Sequence, residues 1–354
     1  MTMLFEPLDL RGVRLRNRIM VSPMCQYSAL DGIPQPWHHV HLGGLARGGA
    51  GMVMAEATAV VPEGRISPRD TGLWSDAQAG AWAPIVRFLH EQGAVAGVQL
   101  AHAGNKASTY WPWASHRGSV PPSDGGWPTV GPSAVGYPGL AAPRALAPEE
   151  LPGVVQAFAA AARRALEAGF DVVEIHAAHG YLLHQFLSPL SNDRADGYGG
   201  DLLGRSRLLQ EVAAAVRAVW PADRPVLVRI SATDWAEGGH SVEDSVVVAG
   251  WLRDLGVDLV DVSSGGISTD QRVPLAPGYQ VALAARVRRG AAIPTAAVGL
   301  ITEPDQAEAI LAEGSADVVA LGRALLRDPQ WPLRAAHALG ADVEWPPQLR
   351  RSHW

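Results

Sequence analysis

His176 and His179 stand at His-x-x-His spacing in the run His176-Ala177-Ala178-His179-Gly180-Tyr181. Two neutral imidazoles can each give one hydrogen bond to an oxygen that gains negative charge during a reaction. Tyr181 follows at once. A tyrosine with an ordinary pKa of about 10 stays protonated at neutral pH, so it can act as a general acid toward a developing carbanion. Two other readings stay open on the residues alone. The histidines could ligate a metal, which would want a third protein ligand; Glu174 points the same way as His176 along a strand but lies one layer deeper. The pair could also be structural, and a lone tyrosine is ordinarily packing.

A second chemistry is written near the end of the chain. Gly299 and Gly322-Arg323 each come just after a short apolar run. Glycine turns after the last two strands of a barrel often hold a phosphate through backbone N–H groups, and Arg323 adds a charge-assisted partner. A plain turn is the alternative. Arg229 ends another apolar run. A guanidinium there could neutralise an anionic ring system or make a salt bridge inside the fold. Cys25, the single cysteine, lacks the signature of a catalytic nucleophile and is read as a small hydrophobe.

These residues fall at the ends of eight strand candidates: Ile19–Ser22, Met52–Glu56, Ala96–Leu100, Val172–His176, Val226–Ile230, Leu259–Val262, Thr295–Val298 and Val318–Leu321. Several are apolar throughout, as strands buried on both faces are. Helical patterns alternate with them. Ser75-Asp76-Ala77-Gln78 resembles a capping box before a helix ending near Gln92. Ser241-Val242-Glu243-Asp244 opens a helix to Leu255, Thr302-Glu303-Pro304 a third, and Pro148-Glu149-Glu150 a fourth with Val154, Val155, Phe158, Ala162 and Leu166 on one face. Eight such units predict a closed parallel β/α (TIM) barrel. The alternative is an open doubly wound sheet, but the first strand is not followed by a Gly-x-Gly-x-x-Gly turn. Catalytic residues of a barrel lie at the C-terminal ends of its strands, which places Ser22 to Tyr27, Ala57, Gln99, His176 to Tyr181, Arg229, Gly299 and Gly322-Arg323 on one rim.

We read residues 1–354 as one barrel domain with three additions. Residues 1–18 form a hairpin plugging the barrel floor. Residues 101–147, rich in Pro, Gly, Ser and Trp, form a capping excursion after the third strand, which Tyr110, Trp111, Trp113, Trp127 and Tyr137 keep ordered. Residues 340–354 form a C-terminal tail.

The chain has 354 residues, 47% of them hydrophobic, and a net charge of −6 without a basic stripe. That excludes nucleic acid and anionic membranes as expected partners. One cysteine cannot make an intrachain disulfide, a four-cysteine iron–sulfur site or a thiolate zinc site. No signal peptide and no membrane-spanning stretch is visible, so a cytoplasmic protein is expected.

The runs Ser22-Pro23-Met24-Cys25-Gln26-Tyr27, Gly51 to Val60, Gln99-Leu100-Ala101-His102-Ala103-Gly104, His176 to Leu182, Ser188-Pro189-Leu190-Ser191-Asn192, Asp196-Gly197-Tyr198-Gly199-Gly200 and Gly322-Arg323 together resemble the Old Yellow Enzyme family. The likeness covers essentially the whole chain. Cys25 with Tyr27 and the paired histidines is similar to the thermophilic-like branch of bacterial ene reductases. The resemblance implies FMN across the barrel mouth, with NADPH or NADH as reductant. Ser22, Pro23, Met24 and Cys25 would line its ring, Ala57 and Gln99 its pyrimidine end, and Arg229 its N1 and O2 edge, while Gly299, Gly322 and Arg323 would hold its phosphate. His176 and His179 would bind the oxygen of an activated alkene (an enone, nitroalkene or maleimide) or of a phenolic ligand. The reduced flavin would pass hydride to the β-carbon, and Tyr181 would protonate the α-carbon. Tyr27 and Lys106 would edge the substrate pocket, with no metal involved. Arg351 and Trp354 of the tail would reach a neighbouring subunit's site, in a homodimer or homotetramer.

Overall fold

The computed structural model describes residues 2–353. Eight strands close into a parallel barrel in sequence order: β1 (Ile19–Val21), β2 (Met52–Ala59), β3 (Val95–Ala101), β4 (Val172–Ala177), β5 (Val226–Ser231), β6 (Leu259–Ser263), β7 (Thr295–Ala297) and β8 (Val318–Leu321). Every residue of these strands is buried. Outward side chains pack under the helices and inward ones fill the barrel, so the runs need no polar face. The eight-stranded β/α barrel expected from the sequence is the fold.

Strand ends differ from the expected ones for local reasons. β2 runs on to Ala59, past a register shift between Ala55 and Ala57, because Ala59 exchanges backbone hydrogen bonds with Thr71 and Leu73. β7 stops at Ala297, and the carbonyl of Val298 instead accepts from the Gln280 amide at 2.9 Å.

The helices include α1 (Pro36–Arg47), α2 (Asp76–Glu91), α3 (Leu151–Ala168), α4 (Leu182–Leu187), α5 (Leu202–Val219), α6 (Val242–Asp254), α7 (Val281–Ala291), α8 (Pro304–Ala312), α9 (Arg323–Arg327) and α10 (Trp331–Ala338). At the start of α2, Ser75 N–H donates to Gln78 Oε1 at 3.1 Å. At α6, Ser241 and Asp244 cap each other reciprocally at 3.1 Å, which satisfies donors the helix itself cannot. The helix expected from Pro148 begins instead with a 3-10 turn over Pro148–Glu150. Pro152 has no N–H to give to the Pro148 carbonyl, so Leu151 bonds there and the α-helix starts one turn late.

The barrel interior is layered. Met20, Met52, Met54, Val172, Leu227, Leu259, Val318 and Ala320 form a buried apolar layer. From below, Leu10 and Leu15 of the antiparallel pair Leu8–Leu10 and Val13–Leu15 pack into it. Each next inward step along a strand, two residues on, brings a polar layer: Gln99, Glu174, Arg229 and Asp261, all at most 5% exposed.

Residues 101–147 hold a two-residue parallel pair, Val130–Gly131 with Arg144–Ala145. The excursion is fastened to the segment after β2. Arg65 lies over the Trp127 ring at 4.7 Å and Arg69 over the Trp111 ring at 4.2 Å. No helix among the described residues is long and apolar enough to cross a membrane.

Candidate active site

β4 delivers His176 to the mouth, and the chain then turns sharply through His179 and Gly180, both with positive φ (60° and 75°). A left-handed histidine is costly, and four external hydrogen bonds hold the turn. His179 N–H donates to Ser231 Oγ at 2.9 Å. Lys106 Nζ donates to the His179 carbonyl at 3.0 Å and to the Gly266 carbonyl. Gly180 N–H donates to His184 Nδ1 at 2.8 Å, and Gln185 Nε2 donates to the Gly180 carbonyl at 2.7 Å. A Cβ on Gly180 would sit 2.2 Å from the Gly266 carbonyl oxygen, so glycine is required there.

The turn gathers three rings. His176 meets His179 edge to face with centroids 5.2 Å apart, and meets Tyr181 likewise at 5.0 Å. Burial lowers both imidazoles well below 6.5, and the positive charge of Arg229 adds to this. Both rings are therefore neutral. Ala178 N–H donates to His176 Nδ1 at 3.3 Å, so the His176 proton is on Nε2. His179 Nε2 lies 2.7 Å from Ser263 Oγ, which leaves its Nδ1 for another partner. Burial also raises the Tyr181 phenol well above 10, so it keeps its proton. Among the described residues no group of three or more His, Cys, Asp or Glu gathers as a metal site.

The segment after β1 forms another side of the mouth. Ser22 is buried, whereas Pro23 through Ser28 are all half-buried and outside regular structure. Gln26 N–H donates to Glu56 Oε2 at 3.0 Å, and Glu56 Oε1 lies 3.1 Å from His38 Nε2 on α1. Tyr27 (φ 47°) meets Trp113 of the excursion edge to face at 5.8 Å. Burial raises the Cys25 thiol and the Tyr27 phenol, so both are protonated. Lys106, driven down to about 8 by burial, lies 4.1 Å from the Tyr137 ring centroid and 5.8 Å from that of Tyr181.

Ala57 and Gln99 are register partners on β2 and β3. Gln99 Nε2 donates to Glu174 Oε1 at 2.8 Å. Arg229 Nε lies 3.0 Å from Asp261 Oδ2, but its N–H does not point at that oxygen and has no acceptor. The contact is charge against charge rather than a hydrogen bond, and the guanidinium keeps its donors for another partner.

Beyond β7 and β8 a cavity of about 240 Å³ opens between Gly299 and Gly322, lined also by Arg323, Arg327, Tyr279 and Gln280. A Cβ on Gly299 would strike Gln280 and Tyr279 at 2.7 and 2.9 Å. The first N–H groups of α9 start at this cavity and, as at every helix start, lack an intrahelical acceptor.

The sequence-derived candidates thus fall into three clusters around one mouth: the His176–His179–Tyr181 turn with Lys106 and with Arg229 as register partner of His176, the Ser22–Tyr27 segment with Ala57 and Gln99, and the Gly299–Gly322–Arg323 cavity. Arg351 is not among them. It is exposed on a 3-10 turn, Pro347–Ser352, in a tail whose Glu344 to Gln348 segment lines a cavity with Arg16 and Gly93 at the opposite, N-terminal end of the barrel. Trp354 lies outside the described residues. Sequence reasoning missed Ser231, Asp261, Ser263, Gln280 and the buried His184–Asp234 pair, joined at 2.9 Å. Period-two alternation along β6 would have put Asp261 and Ser263 on the inward face with Leu259.

Comparison with known proteins gives a consistent picture. The model of the NADH:flavin oxidoreductase / NADH oxidase family matches residues 3–342. A protein named NADPH dehydrogenase from Listeria innocua is 48% identical over 355 residues, covering 99% of each chain. One of the same name from Halalkalibacterium halodurans is 45% identical over 351 residues, covering 99% of this chain and 98% of its own. Among solved structures, morphinone reductase in complex with tetrahydroNAD superposes with a TM-score of 0.79 at 29% identity, covering 98% of this chain and 93% of that one. An Old Yellow Enzyme homologue from Zymomonas mobilis also gives 0.79 at 29% identity, covering 97% and 94%.

Proposed function

The chain belongs to the NADH:flavin oxidoreductase / NADH oxidase family, and from that footing we propose that it reduces activated alkenes. It is an NAD(P)H-dependent oxidoreductase of the Old Yellow Enzyme kind with FMN as its cofactor. The alkene, its seating and the proton donor are our reading. The observation that carries it is the convergence of two neutral imidazoles and a protonated phenol within one turn.

The residues present fit FMN. The cavity between Gly299 and Gly322 has two arginines for a phosphate. The half-buried Pro23–Ser28 segment offers a ledge for a flat ring, with Ser22, Ala57 and Gln99 beside it. Arg229 has a buried Nε–H without an acceptor, as a cation reserved for an electron-rich ring edge would. When bound, FMN supplies two-electron chemistry, accepting from NADPH or NADH and delivering to the alkene.

The protein's own residues do the rest. His176 Nε2–H and the neutral His179 ring hold the carbonyl or nitro oxygen of the acceptor. They bind most strongly as that oxygen becomes negative, so they favour the transition state over the ground state. Tyr181 gives its proton to the α-carbon from the face opposite the ring, and its raised pKa keeps the donor loaded. Lys106 holds the turn by its backbone, and Tyr27 with Trp113 closes the pocket.

We extend this reading to the assembly. Arg351 is exposed and makes no contact with its own site, so it is placed to serve a neighbouring copy in a homodimer or homotetramer, working in the cytoplasm on small alkenes. Turnover separates alkene reduction from oxidase activity. Under anaerobic conditions, NADPH oxidation should begin on adding cyclohexenone and yield cyclohexanone. Consumption that depends only on oxygen would contradict the proposal.

A further inference from the structure

Under the mouth, one guanidinium faces two carboxylates. Arg229, Asp261 and Glu174 are 5%, 0% and 0% exposed. Glu174 Oε2 and both oxygens of Asp261 have no hydrogen-bond donor. Glu174 Oε1 takes only the Gln99 amide, at 2.8 Å. The apolar layer lies directly below. A buried carboxylate without donors is costly when ionised, and one cation cannot neutralise two. Asp261 is the carboxylate nearer the cation, 3.0 Å from Arg229 Nε, so it is the ionised partner.

We infer that Glu174 carries an exchangeable proton in the resting enzyme, and that Glu174 and Asp261 together form a proton-exchanging floor beside Arg229 that couples FMN reduction to proton uptake. For this to hold, FMN must sit over Arg229 as proposed above. The charges around Glu174 are consistent with it. Burial and Asp261 push its carboxyl up to about 8, against the opposing pull of Arg229 and Gln99, and burial raises Asp261 as well. Of the other titratable groups nearby, His176 on the same strand is neutral, and Lys106 stands at the rim with its Nζ on two carbonyls. Neither supplies a second fixed cation to the floor.

NADPH delivers two electrons and one proton to FMN, leaving one added negative charge over Arg229. Sharing the guanidinium with that charge weakens its hold on the floor, so the carboxylate pair becomes more basic. Above the resting pKa of Glu174 one solvent proton then moves onto the pair with each reduction. Below that pKa the proton is present in both states and none is taken up.

Spectroelectrochemical titration of the FMN-loaded protein between about pH 7 and 9.5 tests this. A two-electron couple moves about 30 mV for each tenfold change per proton taken up. The wild type should fall by about 30 mV per pH unit below about pH 8 and by about 60 mV above it, while Glu174→Gln should keep about 30 mV throughout. Asp261→Asn, which removes the fixed negative charge, should raise the potential at every pH. A wild-type slope that never steepens, with Asp261→Asn still raising the potential, overturns the proton exchange and leaves the FMN seat intact. Potentials unmoved in both variants overturn the seat as well. The wild type alone also decides it, through reduced-minus-oxidised infrared spectra at about pH 9. A carboxylic-acid C=O band should appear on reduction, and its absence overturns the inference.

Discussion

The rings of His176 and Tyr181 meet edge to face with their centroids 5.0 Å apart, so the two side chains proposed as donor to the acceptor's oxygen and acid to its carbon are fixed in one turn. Removing either leaves the other in place, which lets their contributions be measured separately.

His176→Ala should weaken a bound phenol by about tenfold, the worth of one hydrogen bond of roughly 1.4 kcal/mol. The readout is the long-wavelength absorbance that a phenol induces against oxidised FMN. An unchanged titration curve would mean that the oxygen is held elsewhere.

The same titration should show no midpoint near pH 6.5. An ordinary histidine changes charge near 6.5, but burial holds both folded-state pKa values well below that. Protonation is therefore deferred to stronger acid, and binding should change only there. A midpoint near 6.5 would show that the rings titrate as if exposed.

Arg323→Ala should loosen FMN, raising its dissociation constant by about ten- to a hundredfold for the loss of a charge-assisted contact worth roughly 1.5–3 kcal/mol. Fluorescence of released flavin measures it. A variant that purifies fully loaded and resists dilution would place the phosphate away from the Gly299–Gly322 cavity.

Gly180→Ala should cost roughly 1–3 kcal/mol of stability, because its φ is +75° and the added Cβ would meet the Gly266 carbonyl oxygen. A melting temperature a few degrees lower, with a raised KM for the alkene, is expected. Unaltered melting and KM would mean that the turn tolerates other shapes.

The barrel was legible because its strands are buried on both faces and their sequences are correspondingly uninterrupted, as at Val172–Ala177. The rim followed from the strand ends, which is why His176, Arg229 and Gly299 could be named early. What the sequence hid were partnerships across strands. Asp261 beside Arg229 and Ser263 beside His179 depend on the β5–β6 register and on barrel closure, which no local spacing encodes. The aromatic content of residues 101–147 was readable. Their fastening by Arg65 and Arg69 was not, because those arginines belong to the loop after β2. The α3 boundary shifted because Pro152 removes a donor that the capping pattern takes for granted.

The most direct test of the central claim is a single anaerobic turnover, in which enzyme reduced with NADPH is mixed with cyclohexenone and reoxidation is followed by absorbance. The wild type should reoxidise fully, and in deuterated water the product should carry deuterium at the α-carbon. Tyr181→Phe should be reduced by NADPH at the normal rate but reoxidise about 10²–10⁴ times more slowly. Equal rates in wild type and variant, or equal losses in both half-reactions, would contradict the account.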